Sequence, residues 1–250
     1  MKSNGEPTYL AADVAYHWDK LHRGFDKLVN VLGSDHHGYV VRLRAILAAE
    51  GADPDRLIVP LLQFMHVVDG GERASMSKRR GDFVPLTELI DGIGVDATRF
   101  FMLSRSADST IDLDLALAKE QSRENPVYYI QYAHARMSKI IRDAGEDRVA
   151  EALAAVPDGL ALEPSERELV KKLLAFPALV DEAAERFAPH LVAVYALELA
   201  QAFTAYYRDC PILKAPDEAL KSFRLATTVA TRRVVARSLD LLGVSAPETM

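Results

Sequence analysis

The sequence has 250 residues, enough for one large domain or two smaller ones. Its composition, 49% hydrophobic and 26% charged, predicts a soluble protein with a real core, and its net charge of −6 argues against general polyanion binding without excluding a local basic face. The lone Cys210 excludes an internal disulfide framework, no run reaches the roughly 18 apolar residues of a membrane span, and no signal-peptide pattern is present, so we expect a cytoplasmic protein with no membrane partner.

The first segment with chemical interest is PTYLAADVAYH (7–17). Tyr9 precedes Asp13 by four residues, so the two side chains share one face if the segment is helical. A phenol beside a carboxylate suits a cation, above all a planar guanidinium, which a carboxylate meets with two parallel hydrogen bonds. The alternative is that Tyr9 packs in a core while Asp13 is solvated.

The next segments alternate between strand and helix patterns. FDKLVNVLGS (25–34) reads as a strand that ends at Gly33, and HGYVVRLRAILAAEG (37–51) repeats apolar residues at helical spacing. DRLIVPLLQFMHVVD (55–69) is the following strand. Strand, helix and strand in this order predict a parallel βαβ crossover.

The motif GSDHHG (33–38) lies where the first of these strands ends. Ligands of open parallel sheets bind at the carboxyl ends of strands, so Asp35 is a candidate for bonding a ribose, an amine or a guanidinium there. Asp35 as a plain helix N-cap is the alternative. Adjacent histidines rarely ligate one ion, and no Cys or Glu stands at ligand spacing, so we expect no tightly bound metal.

A polar loop, ASMSKRRGD (74–82), follows the second apolar strand. Its cations and its glycine suit a segment that holds and releases a polyphosphate, although the motif taken alone favours a solvated surface turn, because short motifs often match by chance. Residues 84–106 continue as short helices with a break at Gly92 and Gly94.

From about residue 111 the pattern is helical almost throughout, with Pro126 as a kink or a helix restart. We therefore predict a mainly α protein with a small parallel α/β part, divided into residues 1–110 and an antiparallel helical bundle at 111–250. Tyr129 and Tyr132 lie on the helix after Pro126, and Tyr206 and Tyr207 end another helix. Five basic residues and no acidic one lie between 221 and 237 (Lys221, Arg224, Arg232, Arg233, Arg237), either as an RNA-binding face or as a solvated one.

The order of these motifs resembles the class I arginyl-tRNA synthetases across essentially the whole chain. The matching elements are Tyr-x-x-x-Asp, Gly-x-Asp-His-His-Gly, an apolar strand, Met-Ser-Lys-Arg, GVDATRFFMLSRS and NPVYYIQYAHAR, followed by the C-terminal helices. The resemblance implies the second half of a Rossmann-like catalytic fold followed by an anticodon-binding bundle. An ordered series of matches is far more specific than any single motif.

The resemblance also implies roles for individual residues. Ser77 and Lys78 match the core of the KMSKS loop, where Lys78 would neutralise charge on the ATP phosphates, although Ser75 and Arg79 depart from the usual lysine and serine. The implied ATP-binding residues are Gly33, Asp35, His36, Met76, Ser77 and Lys78. The implied arginine-binding residues are Tyr9, Asp13 and Asp35, with Asp13 facing the guanidinium, and the implied anticodon contacts are Tyr129, Tyr132, Tyr206 and Tyr207.

The implied reaction is the ATP-dependent ligation of arginine to tRNA(Arg), with ATP, carrying Mg²⁺, as a substrate. No His-x-Gly-His motif of the HIGH type occurs in these residues. We therefore expect the chain alone to be inactive and to pair with a separate N-terminal half or with itself through an exposed sheet edge. The alternative is a catalytically inactive tRNA-binding module derived from such an enzyme.

Overall fold

The structure is a computed structural model that describes residues 5–6, 8–69, 72–73, 84–154, 157 and 159–250. Within these residues the helices are α1 (Tyr9–His22), α2 (Val40–Ala49), α3 (Leu86–Leu103), α4 (Leu115–Lys119), α5 (Pro126–Ala144), α6 (Glu146–Ala154), α7 (Pro164–Glu185), α8 (His190–Asp209) and α9 (Glu218–Leu242), with 3₁₀-helices at Ser34–Tyr39 and Pro54–Arg56. The strands are β1 (Leu28–Val29), β2 (Leu32–Gly33), β3 (Leu57–Ile58), β4 (Leu61–Leu62), β5 (Met65–Asp69), β6 (Glu72–Arg73) and β7 (Ile111–Asp114). The prediction of a mainly α protein with a small parallel α/β part is confirmed.

The chain forms two compact units, and the first contains residues 1–65 with 107–111. In this N-terminal unit β1 pairs with β3 and β2 pairs with β4, both in parallel, and α2 lies between the paired strands in sequence, so the predicted βαβ crossover is confirmed. The strands are shorter than predicted, in part because Pro60 has no N–H to donate to a ladder. Five buried residues form its core: Leu28, Leu43, Ile46, Leu47 and Leu57.

The second unit contains residues 66–106 and 112–250. It begins with a sheet in the order β6-β5-β7 and continues into helices. Gly94 has φ +81° and ψ 165° inside α3, a conformation that side-chain-bearing residues rarely adopt, so the predicted break falls at this glycine. Asn125 accepts hydrogen bonds from the backbone N–H groups of Val127 and Tyr128, and Pro126 is the first residue of α5, so this proline restarts a helix.

The bundle is built mainly on α5, α7, α8 and α9, whose apolar faces meet in one core. A buried ion pair crosses this core, because Arg224 on α9 donates from Nε to Oε1 of Glu166 on α7 over 2.7 Å. Arg224 also donates to the carbonyl of Pro211, and Glu166 closes a capping box at the start of α7. Arg224 therefore does not belong to an exposed basic face, and that part of the basic-run prediction is wrong.

None of the helices that the structure describes combines the length and the apolar character needed to cross a membrane.

Candidate functional sites

A cavity of about 780 Å³ opens in the N-terminal unit beside α1. Tyr9 and Asp13 both line it, because four residues on a helix bring two side chains to one face. Tyr9 is 86% exposed and Asp13 is half-buried, so Tyr9 does not pack in a core. Lys20 and Arg42 also line this cavity, so a ligand would meet both positively and negatively charged side chains there.

The Asp13 carboxylate is held by Tyr39, which also lines the cavity. The hydroxyl of Tyr39 donates a hydrogen bond to Oδ2 of Asp13. This hydrogen bond, with a contribution from burial, raises the pKa of the Tyr39 hydroxyl above its usual value, so the hydroxyl remains a donor at neutral pH. Tyr39 was not among the residues singled out from the sequence, because nothing local relates it to a residue 26 positions earlier.

Asn30 connects the wall of this cavity to the buried side of α1. Its Oδ1 accepts from Nζ of Lys20, and its Nδ2 donates over 2.8 Å to Nε2 of the buried His17. The His17 Nδ1–H in turn donates to the Asp13 carbonyl over 2.7 Å. Asp13, His17 and Lys20 follow the i, i+4, i+7 spacing of one helical face, so a single face of α1 carries these polar contacts.

The GSDHHG motif lies on the 3₁₀-helix that follows β2. Gly33 occupies the N-cap position and no side chain caps this helix, so the interpretation of Asp35 as a helix N-cap is wrong. A Cβ on Gly33 would lie 2.5 Å from Oδ1 of Asp35, which shows how closely this carboxylate approaches the backbone. His36 lines the cavity with Tyr9 and Asp13, and its Nε2 lies 3.7 Å from Oδ2 of Asp35.

The predicted phosphate loop, with Met76, Ser77 and Lys78, lies outside the described residues. In the part of the chain that the structure does describe, no group of three or more His, Cys, Asp or Glu side chains could hold a metal ion.

The bundle displays a second arrangement, which we term the tyrosine–arginine stack: Tyr128, Tyr132, Arg136 and Tyr207. The rings of Tyr128 and Tyr132 are nearly parallel, at 11°, with centroids 6.1 Å apart. The guanidinium carbon of Arg136 lies 4.8 Å from the ring centroid of Tyr132 and 5.0 Å from that of Tyr207, so this cation is held between two aromatic faces. Tyr132 and Tyr207 are each 42% exposed, so the stack is open to a ligand.

Two cavities flank the stack, and Tyr132 and Arg136 line both of them. One has a volume of about 280 Å³ and includes Arg123, while the other has a volume of about 440 Å³ and includes Lys139. Open aromatic faces with cations at their sides are the combination that stacks and neutralises single-stranded nucleic acid.

The other predicted anticodon tyrosines are less accessible. Tyr129 is partly buried and donates its hydroxyl to Thr204 over 2.8 Å, while its ring lines the smaller cavity. Tyr206 is fully buried, and its hydroxyl donates to the Arg224 carbonyl over 2.9 Å. The prediction that Tyr206 contacts an anticodon base is therefore wrong, because its ring belongs to the bundle core.

Comparison with known proteins first identifies the class. The methionyl-tRNA synthetase of Mycobacterium tuberculosis superposes with a TM-score of 0.61 over 86% of this chain and 41% of that one, at 20% identity, a level that shows the fold alone. Residues 130–250 match the DALR anticodon binding domain. The fold is that of the C-terminal half of a class I aminoacyl-tRNA synthetase.

Arginyl-tRNA synthetases match the chain over its whole length. An arginine–tRNA ligase of Carboxydothermus hydrogenoformans is 48% identical over 253 residues, which cover 100% of this chain and 45% of that protein. The Thermus thermophilus arginyl-tRNA synthetase superposes with a TM-score of 0.81 at 27% identity, over 100% of this chain and 50% of that one. The chain is similar along its whole length to arginyl-tRNA synthetases, as a counterpart of their C-terminal part, and it spans about 45% of the length of the curated relatives it matches.

Proposed function

We propose that this chain is the C-terminal part of an arginine–tRNA ligase, in which the bundle binds the anticodon arm of tRNA(Arg) and the N-terminal unit helps to bind arginine and ATP. The observation that carries this proposal is the open tyrosine–arginine stack between two cavities, within a region that matches the DALR anticodon binding domain.

The proposed RNA interaction combines stacking with charge. An unpaired base would contact the exposed part of the Tyr132 or Tyr207 ring, while cations that line the two cavities, including Arg123 and Lys139, would contact phosphates. Each phosphate contact in a single strand adds about −0.7 to the slope of log K against log salt. The affinity for RNA should therefore fall steeply as the salt concentration rises, whereas the contribution of base stacking should remain.

The test of this interaction is a set of Kd measurements with a tRNA(Arg) anticodon arm at several salt concentrations. Tyr132→Ala should cost about 1–3 kcal/mol without changing the salt slope, because it removes a stacking face. Lys171→Ala is the control variant. Lys171 is an exposed cation on α7 that is paired with Glu168 and lines neither cavity. Equal losses from both variants would contradict a specific site at the stack.

The proposed amino-acid site is the cavity beside α1. The guanidinium of arginine would bond the Asp13 carboxylate next to the ring of Tyr9, and Asp35 and His36 would lie towards the reacting end with ATP. A neutral isostere of arginine would leave the half-buried Asp13 without a cation, so we expect strong discrimination. In the proposed chemistry the arginine carboxylate attacks the α-phosphate and pyrophosphate departs; Lys78 would neutralise the developing charge, and Mg²⁺ would be the counter-ion of the ATP phosphates.

This part is tested by ATP–pyrophosphate exchange with the chain joined to the N-terminal part of a relative. Asp13→Asn should raise the KM for arginine and narrow the preference for arginine over citrulline, while Lys78→Ala should slow exchange and leave arginine affinity nearly unchanged. If anticodon-arm binding persists but the joined protein supports no exchange, the tRNA-binding module without catalysis is the correct function.

A further inference from the structure

The contact between Tyr39 and Asp13 joins two elements that are distant in sequence. Tyr39 is the last residue of the 3₁₀-helix after β2, and Asp13 lies in the second turn of α1. Both residues are half-buried and both line the same cavity, so their hydrogen bond lies at the wall where a ligand would enter. A contact at this position can act on a ligand through the carboxylate that it holds.

The hydrogen bond from Tyr39 restricts the orientation of the Asp13 carboxylate. An aspartate side chain rotates about two torsions, and the hydroxyl fixes the direction of Oδ2. The carboxylate retains acceptor capacity for a planar guanidinium, because two carboxylate oxygens offer about four lone-pair sites. A group that already points in the bound direction loses less freedom when the ligand arrives.

Among the described residues, this hydroxyl is one of several polar contacts of α1. Asn30 provides a separate connection through the buried His17 and Lys20, which lie one and two turns further along the same face. The ring of Tyr39 also packs beside the hydrophobic core of the N-terminal unit, and the Arg42 guanidinium lies 5.9 Å from its centroid. Replacing Tyr39 by phenylalanine keeps this ring and removes only the donor to Asp13.

We propose that Tyr39 is a positioning residue that orients the Asp13 carboxylate for a guanidinium, and so helps to set the preference for arginine over uncharged analogues. This inference rests on the proposed function, because it requires that Asp13 faces the guanidinium of the substrate. It assigns to Tyr39 no contact with ATP or with tRNA.

The test is a double-mutant cycle of Tyr39→Phe and Asp13→Asn in the chain joined to the N-terminal part of a relative. Tyr39→Phe should raise the KM for arginine about 10-fold, the size expected for a hydrogen bond to a charged group. The KM for ATP and the Kd for the anticodon arm should stay within about twofold, and the ratio of arginine to citrulline use should fall. In the Asp13→Asn background the same change should have little further effect, because the group that Tyr39 orients is altered.

The outcomes distinguish the positioning role of Tyr39 from the proposed arginine site. If Asp13→Asn weakens arginine binding and Tyr39→Phe does not, the positioning role is wrong and the proposed arginine site stands. If Asp13→Asn leaves arginine binding unchanged, the proposed site is wrong and the positioning role is wrong with it. A Tyr39→Phe effect that persists undiminished in the Asp13→Asn background, or that falls equally on ATP and arginine, would also overturn the positioning role.

Discussion

The cavity beside α1 and the tyrosine–arginine stack differ in how far the side chains that line the site also stabilise the fold. In the bundle, a residue of the open stack and a residue of the core can be neighbours in sequence, as in exposed Tyr207 and buried Tyr206. In the N-terminal unit the same polar side chains line the cavity and connect the elements around it, as Lys20 and Asn30 do.

The sizes of the two cores explain this difference. Within the described residues, the main core of the second unit contains 23 buried residues and the core of the N-terminal unit contains five. A large apolar core can hold helices rigidly without help from the site, whereas a small core leaves part of that task to polar contacts. We therefore expect binding and stability to be separable in the bundle and coupled in the cavity.

The largest expected effect concerns the buried ion pair of the bundle. Glu166→Leu should destabilise the bundle by about 3–5 kcal/mol, because it leaves the buried Arg224 without its counter-charge. Circular dichroism during urea unfolding measures this loss, since most helical residues lie in the second unit. The double variant Glu166→Leu/Arg224→Met should recover most of the stability. Asp143→Ala, which breaks the exposed pair with Lys139, should cost less than about 1 kcal/mol.

The next effect tests the coupling expected in the cavity. Asn30→Ala should cost the N-terminal unit about 1–3 kcal/mol, because Lys20 and His17 lose the group that both contact. Trp18, the only tryptophan, lies in α1, so its fluorescence reports the unfolding of this unit.

Arginine affinity should fall in the same Asn30 variant even where the protein remains folded. Asp19→Ala is the matched control, since Asp19 lies on the same helix in an exposed pair with Arg23. A stable Asn30→Ala protein with normal arginine affinity would show that the cavity separates folding from binding as the bundle does.

A smaller effect tests the separation expected in the bundle. Tyr206→Phe should lower stability by about 1 kcal/mol, because the Arg224 carbonyl loses its donor, and should leave anticodon-arm affinity unchanged. Tyr207→Ala should weaken that affinity by about 0.5–1 kcal/mol through loss of the aromatic face against Arg136, with little change in melting temperature. Both losses in one variant would contradict the separation.

The smallest effect is a pH dependence at His134, which is buried on α5 with its Nδ1–H donating to the Pro247 carbonyl over 2.8 Å. Burial is the largest influence and lowers the pKa of His134, the bond to Pro247 opposes this, and the charge of Arg232 adds to the lowering. The unfolded chain therefore binds this proton at higher pH than the folded chain, so stability is complete above about pH 6.5 and falls as the pH decreases. Between pH 7.5 and pH 5.5, the melting temperature of His134→Gln should fall less than that of the unchanged chain. An equal fall in both would show that His134 is not the source of the pH dependence.

Local rules in the sequence predicted much of the architecture. Pro126 and Gly94 mark a helix start and a helix break because proline and glycine act on their own backbone. Tyr9 and Asp13 were assigned to one face from their spacing alone, and they line one cavity. The strands after Gly24 were predicted too long, because their ends depend on which partner groups are available to pair.

The sequence by itself determined the helical periodicity, the crossover and the spacing of the aromatic residues, since each depends on residues a few positions apart. Only the tertiary structure decided which of two adjacent tyrosines faces the core: Tyr206 turns inward because the Arg224 carbonyl on α9 accepts its hydroxyl. It also decided that Tyr39 contacts a carboxylate 26 residues away and that Arg224 meets Glu166 across 58 residues. Periodicity specifies the angle between side chains on one helix, whereas the direction of that helix towards its neighbours is set by packing among distant segments.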